Sequence, residues 1–278
     1  YSNYAKQNGG KGTDFYYKWG WTIKLNTDID LKDVTALVPT NLESFGYFDG
    51  NGHTIKNATI TTTSDAGLFR AGHAAVKNLN LYNIKVNGGN DASVGILTSD
   101  CHASVDSITI VNSSVEGGKY VGGAVGYGYC DVTNCTLTNC DVKGGYKCGG
   151  VIGYICASNA DGHNVTGNTL TNCTVAAAPQ HADGKSEYVL GMVVGNYNCN
   201  GNCADNVVYD MTTTATKVIG KIEAGKVVNE SNNTVTYVVE NSEALKDAIA
   251  AGGDTIALSA GDYDATQITN IAGKTISF

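Results

Sequence analysis

Val121-Gly122-Gly123-Ala124-Val125-Gly126 is one of five copies of a short glycine phrase. The others are Ala66-Gly67-Leu68-Phe69, Val94-Gly95-Ile96-Leu97, Cys148-Gly149-Gly150-Val151-Ile152-Gly153 and Leu190-Gly191-Met192-Val193-Val194-Gly195. Their first glycines stand 28, 27, 27 and 42 residues apart. A repeat of this length marks one supersecondary unit stacked on its neighbours, not a fold around a single central core. Many conspicuous residues are then structural columns, repeated because the coil repeats.

About ten residues after each phrase comes an alternating segment. Its copies are Val76 to Leu81, Val105 to Ile110, Val132 to Leu137, Val165 to Leu170 and, more weakly, Ala204 to Tyr209, with an earlier copy at Ile55 to Ile60. Apolar residues at every second position mark half-buried strands. The glycine phrase reads as a second strand, and a third short strand ends at Val86, Val115, Val142 and Val175. Three strands per repeat of about 27 residues predict an all-β fold, a parallel β-helix. Six or seven coils between Trp21 and Thr213 make a rod on the order of 30 Å long. The long interval before the last phrase holds insertions at 157–164 and 176–187, the second a loop carrying Pro179, His181 and Gly184.

Stacking turns columns of sequence into ladders. Asn83, Asn112, Asn139 and Asn172 share one position and predict an asparagine ladder, since asparagine tolerates left-handed turns and its amide both donates and accepts. Cys140 falls over Cys173, with Ser113 and Ile84 in the same column. Cys101, Cys130, Cys156 and Cys199 follow the phrase at nearly one offset.

Several stretches together resemble the opening of GLUG-repeat proteins: Leu25 to Leu31, Phe48-Asp49-Gly50-Asn51-Gly52-His53-Thr54-Ile55, Gly67-Leu68-Phe69 and Val76 to Leu79. The resemblance spans about residues 20–215. It implies a right-handed parallel β-helix in large bacterial surface or secreted proteins of adhesin-like character, and brings no catalytic residues with it. Met192 at the second glycine position, and Arg70 or Thr98 where a closing glycine is expected, depart from the pattern.

After Gly225 the chain changes character. Ser242 to Ile249 carries an apolar stripe at helical spacing, with Ser242 as the expected N-cap and Gly252-Gly253 as the stop. This helix and the segments after it resemble the capping helix and first coil of a pectate-lyase-like β-helix with a period near 20 residues. The expected organisation is residues 1–225 as the main β-helix, capped by the aromatics Phe15, Tyr16, Tyr17, Trp19 and Trp21, and 226–278 as a short helix plus the start of a second one. The opening Tyr1-Ser2-Asn3-Tyr4 reads as a mature chain or an excised fragment, and the native protein is expected to continue past Phe278.

Composition narrows the function. The formal charge is −8 and Arg70 is the only arginine, so the basic footprint of a nucleic-acid binder is missing. No apolar run is long enough to span a bilayer, and no membrane insertion within this chain is expected. Nine cysteines leave metal, disulfide and buried-thiol readings open. Cys199 and Cys203 form the one tight pair and lack a second half, so no metal and no cofactor is expected. Buried thiols suit Cys135, Cys140 and Cys173. The aspartates sit mostly in turn contexts, and Asp28 with Asp30 comes without the basic partner a polysaccharide lyase needs. His53, His73, His102, His163 and His181 share no ligand spacing.

Tyrosines carry the functional hint. Tyr127, Tyr154 and Tyr197 follow the phrase at almost one offset, and Tyr120, Tyr146 and Tyr188 precede it. Stacking is expected to align each set into a stripe able to meet sugar faces or a protein partner. The expectation is a non-catalytic, adhesin-like protein, secreted or at the cell surface, binding a host or microbial glycan or surface protein or acting as a rigid spacer. The competing expectation is a carbohydrate-active β-helix enzyme (polysaccharide lyase or glycoside hydrolase), or the scaffold of one.

Overall fold

The computed structural model describes residues 22–34, 37, 40–42, 46–72, 74–157, 162–178, 181, 188–250, 255–261, 263–264 and 273–277. The expected aromatic cap, His73, Pro179, Gly184 and Gly252-Gly253 lie outside these residues. Every strand pairing among them is parallel, and the chain winds as a β-helix with three faces. Face A is a sheet of 20 strands built from the alternating and third segments, face B has seven strands and face C has four. Neighbouring coils pair in register, for example Val76 with Val105, Val105 with Val132 and Val132 with Val165. The core between the faces is a stack of Val, Ile, Leu, Ala and Cys.

Left-handed residues bend each coil within face A. Asn57, Asn83, Asn112, Asn139 and Asn172 all have φ between 50° and 60°. Their amides bond along the axis: Asn83 Nδ2 donates to Asn57 Oδ1 at 2.8 Å, Asn139 to Asn112 at 3.0 Å and Asn172 to Asn139 at 2.8 Å. The expected ladder is therefore present. A second bend column holds Asn78, Ser107, Asn134, Asp205 and Asn232. A third ladder is buried: Asn168 Nδ2 donates to Asn206 Oδ1 at 3.0 Å, and Asn206 Nδ2 to Asn233 Oδ1 at 2.9 Å. It continues inside the core the column that begins with Leu79 and Ile108.

Two copies of the alternating segment sit differently from the expected register. Ile55 pairs with Leu81, so Ile55 to Ile60 matches the half of the coil after the first bend, and Phe48 is the partner of Val76. Cys203, not Ala204, pairs with Val165, which places Asn206 beneath Asn168.

The glycine phrase is a corner and not a strand. Tyr120–Gly122 closes a strand of face C, Gly123 and Ala124 turn, and Val125–Gly128 opens a strand of face B. Ladder bonds run through the turn, with Ala124 N donating to Val151 O at 2.9 Å. A methyl on Gly149 would lie 2.2 Å from Ile152 O and 2.4 Å from Gly195 N, so only glycine lets the two faces approach so closely. The closing-glycine column runs Arg70, Ser99, Gly126, Gly153, Gly195, Gly220, which moves the second departure from Thr98 to Ser99.

Residues Val228–Ser231 and Thr234–Val239 carry face A onward, pairing back with 201–204 and 207–209. Thr236 then pairs with Thr255 and Thr255 with Thr275, steps of 19 and 20 residues. Helix α1, Ser242–Ala250, packs Leu245 and Ala248 against Val239 and Ile256. Its cap is Asn241, whose Oδ1 accepts from Ala244 N at 2.9 Å, while Ser242 Oγ accepts from Asp264 N. All nine cysteines are buried, unpaired thiols. Among the described residues no helix is long and apolar enough to cross a membrane.

Candidate functional site: a tyrosine-lined trough

The corner made by the glycine phrase is re-entrant. Tyr120 points outward from face C and Tyr127 outward from face B, yet their rings stack at 5.5 Å. Outward side chains of two faces meet only across a concave angle, so a trough runs along the rod. Its face B wall is the column Asp100, Tyr127, Tyr154, Asn196, Lys221, and its face C wall is Ser93, Tyr120, Lys147, Val189.

Tyr127 and Tyr154 stack at 5.4 Å with 4° between their planes, and Tyr120 lies 4.7 Å from Tyr154. Tyr146 joins at 6.5 Å from Tyr120. The rings therefore cover one another's faces and present edges and hydroxyls outward. Tyr127 OH donates to Tyr129 OH at 2.7 Å, and Asn198 Nδ2 donates to Tyr154 OH. Burial pushes the Tyr120 hydroxyl up to about 12 and raises Tyr127 and Tyr154 as well, so all three remain neutral donors.

Lys147 is in register with Tyr120 and is only 6% exposed. Its ammonium sits 4.6 Å from the Tyr154 ring centre and 5.2 Å from that of Tyr146, and 3.4 Å from Glu223 Oε1. Cation–π contact and the ion pair together make burial of this charge tolerable. Glu223 also accepts from Asn196 Nδ2 at 2.8 Å and pairs with Lys221 at 3.6 Å, contacts that hold its carboxyl below the usual range, led by the Asn196 bond. Asn196 is fully buried, and its Oδ1 finds no partner among the described residues.

Past Lys147 the trough opens into a pocket of about 570 Å³ lined by Ala177, Tyr188, Val189, Leu190, Thr214, Ala215, Thr216, Gly220 and Lys221. Tyr188 is 43% exposed there. Of the six tyrosines expected as ligand contacts, Tyr120, Tyr127, Tyr154 and Tyr146 cluster in the trough and Tyr188 lies at its open end. Tyr197 does not join them. It pairs with Ile155, is fully buried, and donates its hydroxyl to His163 O and to Asn202 O at 3.1 Å. Counting from the closing glycine would have found this, since Tyr127, Tyr154 and Asn196 each follow it directly. Lys147, Asn196 and Glu223 carried no sequence signal, because their meeting depends on the fold of the corner.

Titratable side chains lie elsewhere on the rod and at the trough. At its other end Asp100 Oδ2 lies 3.1 Å from His102 Nε2, and His102 packs on Tyr129. The nearby Cys156 thiol donates to Tyr127 OH at 3.2 Å and is raised by burial, the opposite of an activated nucleophile. Asp28, Asp30, Asp49, Asp106 and Asp131 all have lowered pKa values, whereas a glycosidase general acid needs a raised one. Among the described residues no three His, Cys, Asp or Glu side chains converge as a metal site.

A crystal structure described as a "putative immunoglobulin A1 protease from Bacteroides ovatus" superposes on this chain with a TM-score of 0.54 at 15% identity, covering 96% of this chain and 80% of that one. At that identity the likeness concerns the fold. No family model and no curated protein matches the chain, so the GLUG-repeat resemblance rests on its motifs alone.

Proposed function

We propose that this chain is a rigid recognition rod from a secreted or surface-attached bacterial protein. It acts by binding a glycan or protein partner in the trough and the pocket at its end. The observation that carries this reading is the re-entrant corner itself: four tyrosines, a caged lysine and an exposed Tyr188 gathered in one concavity on a rigid scaffold. The orphaned Asn196 Oδ1 adds a buried acceptor suited to a ligand's donor. Because the trough rings stack on one another, contact there comes through tyrosine edges and hydroxyls, with Tyr188 exposed at the pocket beside them. The test is a glycan and host-protein array probed with wild type, Tyr154→Ala and Tyr188→Ala. Loss of bound signal in both variants supports the trough, while unchanged signal leaves a spacer.

A second reading, an enzyme, draws on the name of the Bacteroides ovatus structure and on the Asp100–His102 pair. Incubation with immunoglobulin A1 and a polysaccharide panel tests it. Products that disappear in Asp100→Asn would replace the binding reading.

A further inference from the structure

Face A carries tyrosines that the trough does not use. Tyr82 and Tyr209 are 44% and 42% exposed and share one outward column, with Val111, Thr138 and Thr171 between them. They stand four ladder steps apart, about 19 Å along the rod. The outward column two residues earlier carries Thr109, Thr136 and Thr169 on the same coils. Along the other side of the tyrosine column runs the exposed ladder of Asn112, Asn139 and Asn172. From Tyr82 to Tyr209 these columns hold no charged residue. Threonine in a strand is ordinary sheet chemistry, but a threonine lane closed at both ends by exposed phenols is not. Among the described residues neither tyrosine ring packs on another ring. Neither phenol, nor any of the five threonine hydroxyls, has a protein hydrogen-bond partner there.

We infer that this lane binds a neutral, straight, β-1,4-linked polysaccharide lying along the rod axis, with Tyr82 and Tyr209 as its two ring platforms. The inference does not depend on the trough, which lies between faces B and C. The lane's own chemistry selects the occupant. An added polypeptide strand gains no main-chain bonds here, because the strands of the lane are already paired on both sides, Leu137 with Ile110 and with Leu170 for example. A polyanion such as a nucleic acid finds no cation in the lane, on a chain of net charge −8. A protein interface is apolar at its centre, whereas the centre of this lane is hydroxyl and amide. A neutral glycan offers hydroxyls along its edges and apolar C–H faces for tyrosine rings. In an extended chain its sugars follow one another at close to the coil spacing of about 4.8 Å. Hydroxyl contacts then repeat in step with Thr109, Thr136 and Thr169, and five sugars reach from Tyr82 to Tyr209. An α-1,4-linked chain coils away from a straight column and loses that match.

The test is isothermal titration calorimetry of the full chain with cellohexaose, mannohexaose and xylohexaose, the trimer of each, and maltohexaose. At least one β-linked hexamer is expected to bind roughly tenfold or more tightly than its trimer, which reaches a single tyrosine. Tyr82→Ala and Tyr209→Ala should each bring the hexamer down to the affinity of the trimer. Melting temperature should hold in both, since both side chains are exposed, and Tyr188→Ala should bind the hexamer as wild type does. Four results overturn the lane: no β-linked hexamer bound, hexamer and trimer bound equally, maltohexaose bound as tightly, or hexamer affinity unchanged in both variants. Hexamer binding lost in Tyr188→Ala but kept in Tyr82→Ala and Tyr209→Ala belongs to the trough and overturns this inference alone. Hexamer binding that needs Tyr82 and Tyr209, with an array signal indifferent to Tyr154→Ala and Tyr188→Ala, removes the trough and leaves the lane.

Discussion

Substituting Gly149 with alanine tests the corner on which the trough depends. The new methyl would lie 2.2 Å from Ile152 O, 2.4 Å from Gly195 N and 2.9 Å from Val193 O. All three are backbone atoms of the same coil and the next, so no side chain can rotate away. Real Cβ contacts essentially never fall below 3.0 Å, so Ile152 O must retreat by about 0.8 Å. Overpacking of this kind costs about 1–3 kcal/mol. The retreat also strains the ladder that threads the corner, where Gly123 N donates to Gly149 O and Ile152 N to Val193 O, at about 0.5–1.5 kcal/mol per bond. A total near 3 kcal/mol corresponds to a fall in melting temperature of roughly 6–12 °C. Gly72 is the control: its nearest atoms to a new Cβ stand at 3.6 Å, ordinary contact, so Gly72→Ala should stay within about 0.5 kcal/mol of wild type. Urea midpoints and thermal melts followed by circular dichroism read both. Gly149→Ala melting within 2 °C of Gly72→Ala, a threshold set well below the roughly 6–12 °C expected, would refute the close approach of faces B and C.

Further outcomes follow from the same geometry. Asn206→Ala removes acceptor and donor from a buried ladder, stranding Asn168 N and Val165 O, and should cost about 3 kcal/mol. Asn139→Ala on the exposed ladder should cost about 1 kcal/mol by the same urea titration. The buried thiols, with burial pushing Cys135, Cys148 and Cys203 up to about 12, should resist a thiol reagent in the native state and react fully in denaturant. Intact mass should not change on reduction. For acid stability the sign is fixed by depressed carboxylates. Asp131 is lowered first by the His163 bond, and hydrogen bonds from Thr133, Asn134 and Ser107 outweigh desolvation at Asp106. Their stabilisation is complete above the unfolded pKa near 4 and is lost as pH falls through the lower folded values. Urea midpoints should drop below about pH 4, and Asp106→Asn should flatten that slope. A rising midpoint on acidification would contradict the assignment.

The solenoid was legible because glycine spacing and two-residue alternation are local signals, and the asparagine column followed from the coil period. What misled was local similarity without register. A phrase of glycine and small apolar residues reads as a strand, although its glycines are there so that two backbones can meet across a turn. Tyr197 was misplaced by one residue because the offset was counted approximately, and in a strand one residue separates trough from core. Lys147 and Glu223 are 76 residues apart and meet only because the concave corner lets side chains two coils apart reach one another. The pocket was invisible for a related reason. A coil short by four residues shows only once both flanks are in register.

The central claim, that the trough and its end pocket form a binding surface, is tested most directly at Tyr188, which is exposed at the pocket. The measurement is the dissociation constant of the strongest array ligand for wild type and Tyr188→Ala by surface plasmon resonance, with melting temperature recorded alongside. An aromatic anchor worth about 2 kcal/mol predicts roughly thirtyfold weaker binding with no change in melting temperature. Equal affinity for the two proteins would contradict the account.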